Sequence, residues 1–341
     1  VALFFESSQF TSTDDLIRTK LNTFLLAHGW LQDESALGRY AAHVDSLFMS
    51  FRWDTAISTG EHNVGVYHAL GWVAATDPGN HTNDSGQGVV SGTNGTGSTQ
   101  IGGGRNADVD NGTHTYWFFL QDSAPKHVHV VVEHAAGVAY RHFGMGHLSK
   151  LGTWTGGEYA YADRHSSVGG TSAAMLADST TLLDGFASGT AIHNGTTIGR
   201  SYLASVHMEG MPGQVANGRW GLCWDGGTPA LNDRGSPAAA RAWVAGGGFR
   251  AGLVAAPHAR PRSTPLQGLI PLYPISPLYK HLTLEQLYPI GTMPNIRGIN
   301  VANYAGGDVV TVGAESWVVF PARQKGAHPG TRNQGIAYRK T

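Results

Sequence analysis

Between Tyr116 and Phe143 the chain carries three apolar runs of strand length, separated by turns too short for anything but a reversal. Tyr116 to Asp122 is followed by Ser123-Ala124-Pro125, His127 to Glu133 by Ala135-Ala136-Gly137, and Val138 to Phe143 closes the set. Period-two apolar runs bounded by Gly, Pro and Ser clusters predict a three-stranded antiparallel meander. Side chains alternate across a strand, so Val128, Val130 and Val132 share one face, the core face. His127, His129, Val131 and Glu133 share the other.

Two imidazoles and one carboxylate on one face are the ligand set of a facial metal site, which makes His127, His129 and Glu133 the candidate metal ligands. The string HVHVVVE also resembles the first half of the first cupin motif, and the resemblance implies a metal-dependent enzyme. Gln121 stands where that motif has glycine, and the second motif, with its Gly, Pro and fourth His, is missing. The competing reading puts the His face against solvent or a neighbouring subunit, as in sheets with one wet side. His62, His68, His142, His147 and His165 are scattered among 17 His in all, and the expectation is a chain without metal or cofactor.

Elsewhere the pattern is more uneven. Ser12 and Thr13 can cap a helix whose first turn holds Asp14 and Asp15; Leu16, Ile17, Leu21, Phe24 and Leu25 recur at helical spacing until Gly29 stops it. Leu47, Met49, Phe51 and Trp53 alternate with Phe48, Ser50 and Arg52 as in a half-buried strand. Residues 76–113 are nearly all Gly, Asn, Thr, Ser and Asp and predict a long exposed loop, of the kind that is functional or orders on a neighbour. The stretch 166–262 is Gly- and Ala-rich, with short apolar runs at Ser201 to Met208 and Trp220 to Trp224. Pro265, Pro271, Pro274, Pro277, Pro289 and Pro294 remove backbone donors and predict extended, irregular connections. Val309 to Val312 and Ser316 to Phe320 flank Gly313-Ala314-Glu315 at hairpin spacing, and Ile336 to Arg339 supplies a last strand.

Composition narrows the function classes. In 341 residues, 23 Lys plus Arg face 24 Asp plus Glu, so no net field draws the chain to nucleic acid or anionic lipid. Between Arg234 and Lys280 the chain is locally basic, with Arg241, Arg250, Arg260 and Arg262, which a solvated face or an acidic neighbour explains. Only 14% of residues are charged, against 9 Trp, 12 Tyr and 12 Phe. Permanent interfaces are depleted in charge and rich in aromatics, so the balance suggests a subunit that self-associates. Cys223 is alone, which excludes an internal disulfide or a Cys-based zinc site. No signal-peptide pattern and no run of 18 apolar residues is present, so neither export nor a membrane span is expected.

The remaining chemical motifs carry little. Asp108-Val109-Asp110-Asn111 lacks the spaced oxygens and terminal Glu of a calcium loop. Gly102-Gly103-Gly104 is not followed by the Lys-Ser or Lys-Thr of a phosphate loop. No Gly-x-Ser-x-Gly elbow occurs, and Cys223 lies in an apolar run that favours an inert thiol. Sequon strings at Asn80, Asn83, Asn94, Asn111 and Asn194 matter only in a secreted eukaryotic protein.

Three stretches resemble structural proteins of tailed-bacteriophage virions. They are DDLIRTKLNTFLLAHGW near the start, the central YWFFLQDSAPKHVHVVVEHAAGVAYRHFGMGHLSKLGTWTGGEYAY, and LYPIGTMPNIRGINV, ESWVVFPARQKG and NQGIAYRK towards the end. The resemblance implies a non-enzymatic tail, baseplate or neck protein with no catalytic residues to carry over. It also implies other virion proteins as partners and the virion as location, after synthesis in the host cytoplasm.

The expectation is a mainly β chain: an antiparallel sheet or sandwich, a short N-terminal helix and a long loop-rich insertion. Residues 1–165 hold the helix and meander with the Gly-rich loop 76–113. Residues 166–262 form a Gly/Ala-rich insertion or second subdomain, and 263–341 hold the Pro-rich segment and the strands that return to the first domain. The expected role is a homo-oligomeric virion component that binds neither membrane nor specific nucleic acid. The alternatives are a receptor- or glycan-binding tail-tip module using aromatic faces, and a cupin-like enzyme using His127, His129 and Glu133.

Overall fold

The computed structural model describes residues 2–11, 16–36, 39–57, 61–69, 71–74, 99–102, 113–135, 137, 139–162, 192–193, 196–197, 202–209, 220–224, 249–253, 272–280, 287–321 and 334–341. In chain order the strands are β1 (Leu3–Thr11), β2 (Leu31–Ala36), β3 (Arg39–Val44), β4 (Leu47–Ile57), β5 (Glu61–Ala69), β6 (Thr99–Gly102), β7 (Thr113–Gln121) and β8 (His127–Ala135). Next come β9 (Ala139–His147), β10 (Ser149–Lys150), β11 (Thr155–Ala162), β12 (Ile192–His193), β13 (Thr196–Thr197), β14 (Tyr202–Glu209), β15 (Trp220–Trp224) and β16 (Phe249–Leu253). The last are β17 (Tyr273–Lys280), β18 (Leu287–Pro289), β19 (Gly291–Thr292), β20 (Ile296–Asn300), β21 (Asp308–Val312), β22 (Glu315–Pro321) and β23 (Gln334–Arg339). The helical segment is a π-type turn, Leu16–Leu21, running into α1, Asn22–Ala27. It stops at Gly29, whose φ of +83° suits glycine; the capping residues Ser12 to Asp15 lie outside the described residues.

The protein is mainly β and antiparallel, as its alternating runs predict. The meander is β7–β8–β9, and Gly137 (φ +65°) makes the second reversal. It lies inside a hydrogen-bonded path that runs β1-β7-β8-β9-β11-β14-β15-β16-β17-β20-β23-β22-β21, with β18 pairing β17. A separate sheet has the order β2-β3-β4-β5-β6.

Two packed interfaces bury the meander on both sides. Phe118, Leu120, Val128, Val130, Phe143 and Met145 meet Phe24 and Leu25 of the helix and Tyr40, Met49 and Phe51 of the five-stranded sheet. Phe119, Val131, Tyr140, Tyr159 and Tyr161 meet Ile296, Val318, Phe320, Ile336 and Tyr338, because the C-terminal strands fold back over the other face. The meander is therefore the middle of three layers, and the reading that places its His face against solvent or a neighbour is overturned: His127 is 1% exposed and His129 0%.

Two further expectations are corrected. The segment holding Pro274 and Pro277 is a paired strand, since β17 bonds β16 through Pro277↔Ala251 and β20 through Pro274↔Arg297. Proline forfeits one donor, yet its carbonyl still joins a ladder on one side. Within 76–113, β6 pairs β5 and Thr113 opens β7; most of that loop lies outside the described residues. In 166–262, the apolar runs become β14 and β15, which extend the main path from β11; most of this stretch also lies outside.

Candidate functional site

The register of β8, β9 and β11 explains the polar interior. His129 faces Gly144, which faces Tyr161, and His127 faces Gly146, which faces Tyr159. Cross-strand neighbours on one face are the units that interact in a sheet. Gly144 in the middle strand removes the Cβ that would separate His129 from Tyr161: a Cβ there would lie 2.8 Å from His129 Nδ1 and 3.0 Å from Tyr161. Three alternating pairs, His127/His129, Gly144/Gly146 and Tyr159/Tyr161, were the sequence signal for this cluster, and they become legible only once the strands are aligned.

Hydrogen bonds join the cluster to the C-terminal layer. His129 Nε2–H donates to the Pro294 carbonyl at 3.1 Å, and the Tyr161 hydroxyl donates to His129 Nδ1 at 2.9 Å. The Tyr338 hydroxyl donates to His142 Nδ1 at 2.9 Å, and His142 Nε2–H to the Pro321 carbonyl at 3.0 Å. The two tyrosine oxygens meet at 3.3 Å. A carbonyl only accepts, so each Nε2 carries the proton and each Nδ1 receives one. All four end bonds are thus made with both imidazoles neutral.

Burial keeps the His127 and His129 imidazoles neutral. It pushes His127 down to about 4, against a smaller opposing effect of the Pro125 carbonyl at 3.3 Å. It pushes His129 well below its ordinary value, with the neighbouring His127 acting the same way. Tyr159 is fully buried and its hydroxyl has no partner among the described residues, so desolvation drives its pKa well up. The seam between the layers is polar, uncharged and closed.

Glu133 does not join His127 and His129. Its carboxylate accepts from the backbone N–H of Thr115 at 3.1 Å and of Gly137 at 2.7 Å, tying the β8–β9 turn to β7. Both ring nitrogens of His129 are engaged within the protein. Among the described residues no group of three or more His, Cys, Asp or Glu side chains is arranged to hold a metal ion.

A second polar centre lies at the β11–β14 pair. Glu158 accepts from His207 Nδ1 at 2.8 Å, and His147 Nε2 stands 3.9 Å from its other oxygen. Burial alone would raise the Glu158 carboxyl, but the His207 and backbone hydrogen bonds and both imidazoles outweigh it and hold it at about 2.

One exposed apolar surface is the edge at β21. It ends the strand path and pairs only with β22 among the described residues. Val309 is 54% exposed and Val312 39%, while Val310 is buried. Asp308, at its start, is bound to the Ala305 N–H at 2.7 Å. Native edge strands are usually guarded by Lys, Pro, a bulge or a covering loop; residues 309–312 are Val, Val, Thr and Val. The opposite edge, β1, exposes Ser7, Ser8 and Gln9 instead.

Fold and site together define a layered antiparallel β protein with a buried His–Tyr seam and a β21 edge that is uncovered among the described residues. No protein-family model matches the chain, and no curated protein matches it.

Proposed function

We propose that this chain is a non-enzymatic structural subunit of a tailed-bacteriophage virion, in the tail or baseplate, which assembles with copies of itself and with other tail proteins. The observation that carries the self-assembly is the β21 edge, whose outer backbone groups are unpaired among the described residues and run beside exposed Val309 and Val312. Such an edge is a template for another strand, and antiparallel pairing of β21 with its copy closes a two-fold dimer. The low charge supports the same reading, as do the three stretches that resemble phage virion proteins. Among the described residues no helix is long and apolar enough to cross a membrane.

The test is the native mass of the purified chain by light scattering across a concentration series, beside a Val309→Lys/Val312→Lys variant. Both positions are exposed, so the variant should keep the wild-type thermal midpoint while losing association. A wild-type chain that stays monomeric at every concentration overturns the assembly reading. The virion assignment is tested by immunogold labelling of tailed particles, and particles without label overturn it.

A further inference from the structure

A cleft of about 330 Å³ opens where the ends of β1, β7, β20 and β23 meet the short β10–β19 ladder. That volume suits a small molecule of few rings. Its polar wall is made by Gln121, Ser149, Thr292, Asn295, Arg297 and Arg339, and among the described residues no Asp or Glu lines it.

Arg297 sets its charge. Its guanidinium lies over the Trp317 ring, 5.4 Å from the centroid, and Nη1 donates to the Ile296 carbonyl at 2.8 Å. It has no ion pair among the described residues. Glu315, the carboxylate that acts on it electrostatically, is held by Arg339 at 2.9 Å and by Trp317 Nε1 at 3.2 Å. Among the described residues the two guanidiniums share one side-chain carboxylate: Arg339 holds it and also donates from Nε to Thr341 O at 3.1 Å, which leaves Arg297 as the guanidinium without an ion pair. Burial disfavours the charged Arg297 and lowers its pKa, a cost that an incoming anion relieves.

The rest of the wall offers hydroxyl chemistry. Ser149 and Thr292 are register partners, and their hydroxyls have no hydrogen bond among the described residues. Asn295 donates its amide to Gln121 Oε1 at 2.6 Å, which leaves its own Oδ1 as an acceptor. Gln121 Nε2 is committed to the Ser123 and Pro125 carbonyls at 2.8 and 3.0 Å, so this side of the cleft is fixed in advance.

We infer that this cleft binds a hydroxylated monocarboxylate, a sugar acid of the hexuronate class, with its carboxylate on Arg297 and Arg339 and its hydroxyls on Ser149, Thr292 and Asn295. The planar guanidinium fork of Arg297, free of any ion pair among the described residues, fits a carboxylate. The polar groups beyond the arginines reward a ligand that carries hydroxyls as well as charge. This inference does not depend on self-assembly or on a place in a virion.

The experiment titrates the full chain with glucuronate, glucose and inorganic phosphate, with saturation-transfer NMR as readout. Glucuronate is expected to bind, and neither glucose nor phosphate to displace it at equal concentration. Arg297→Gln should weaken glucuronate by roughly tenfold or more, the effect of losing a charged hydrogen bond. The exposed Ser149→Ala should weaken it by a smaller factor, with an unchanged thermal midpoint, and keeps the test valid if Arg297→Gln loses its fold. Absence of saturation transfer to glucuronate overturns the proposal. So does displacement by phosphate at equal concentration, which would mark a site for anions without regard to hydroxyls.

Discussion

Lowering the pH from 7 to 5 should destabilise this protein through two buried imidazoles long before its carboxylates protonate. The folded-state pKa of His127 is about 4 against an ordinary 6.5. Between those values only the unfolded chain takes up the proton, so stability is fully present above 6.5 and is lost as pH falls towards 4. The full shift corresponds to about 3 kcal/mol, of which about 2 kcal/mol is lost between roughly pH 7 and pH 5. Burial pushes His129 in the same direction, so it adds to the loss. The His127 contribution alone is measurable against the ~5–15 kcal/mol that holds an ordinary domain together. The assay is urea unfolding at half-unit pH steps, for the wild-type chain and for His127→Gln, which cannot gain the proton. The variant should show a clearly shallower fall. A wild-type stability that is flat from pH 7 to pH 5, or an equal slope in both chains, would mean that the imidazoles are as well solvated as in an unfolded chain and would refute the sealed seam.

Gly144→Ala should cost about 1–3 kcal/mol or more, since the new Cβ would lie 2.6 Å from the Val128 carbonyl and 2.8 Å from His129 Nδ1; thermal unfolding measures it, and an unchanged midpoint would show that β8 and β9 can separate freely. Glu158→Gln should cost about 1.5–3 kcal/mol at neutral pH through the lost charged bond to His207. The folded carboxyl is depressed from 4.5 to about 2, so its contribution is present above 4.5 and lost as pH falls towards 2. The variant should therefore lose that part of the acid limb, and an unfolding curve with the wild-type fall between those values would count against the pairing.

The elements readable in the sequence are those whose partners lie close along the chain. The β7–β8–β9 meander follows from period-two runs joined by short turns. The β21–β22 hairpin follows from Gly313, which takes φ +62° at the first central position of a two-residue turn, as a type II′ reversal needs. β1 was not legible: Leu3 to Thr11 pairs with β7 in full register, but that partner begins more than a hundred residues later. The strand containing Pro274 and Pro277 was hidden for a related reason, because proline weakens the local strand signal while a fixed neighbour still pairs with its carbonyls.

By itself the sequence determined that the chain is mainly β, where the meander turns, which valines share its core face, and that its surface is poor in charge. Local alternation and turn chemistry act over a few residues, and composition acts over the whole chain, so neither needs a tertiary partner. Only the tertiary structure decided the fate of the opposite face. When the C-terminal segments fold over it, His127 and His129 leave water and stay neutral, and His129 reaches the Pro294 carbonyl; pairing within and beside the meander sends Glu133 to two backbone amides and lets Tyr161 reach His129 past Gly144. The same folding brings Arg297 and Arg339 to one cleft with Ser149, from segments far apart in the chain. A residue's charge and partners depend on what removes it from solvent, and here the covering layer lies at the far end of the sequence.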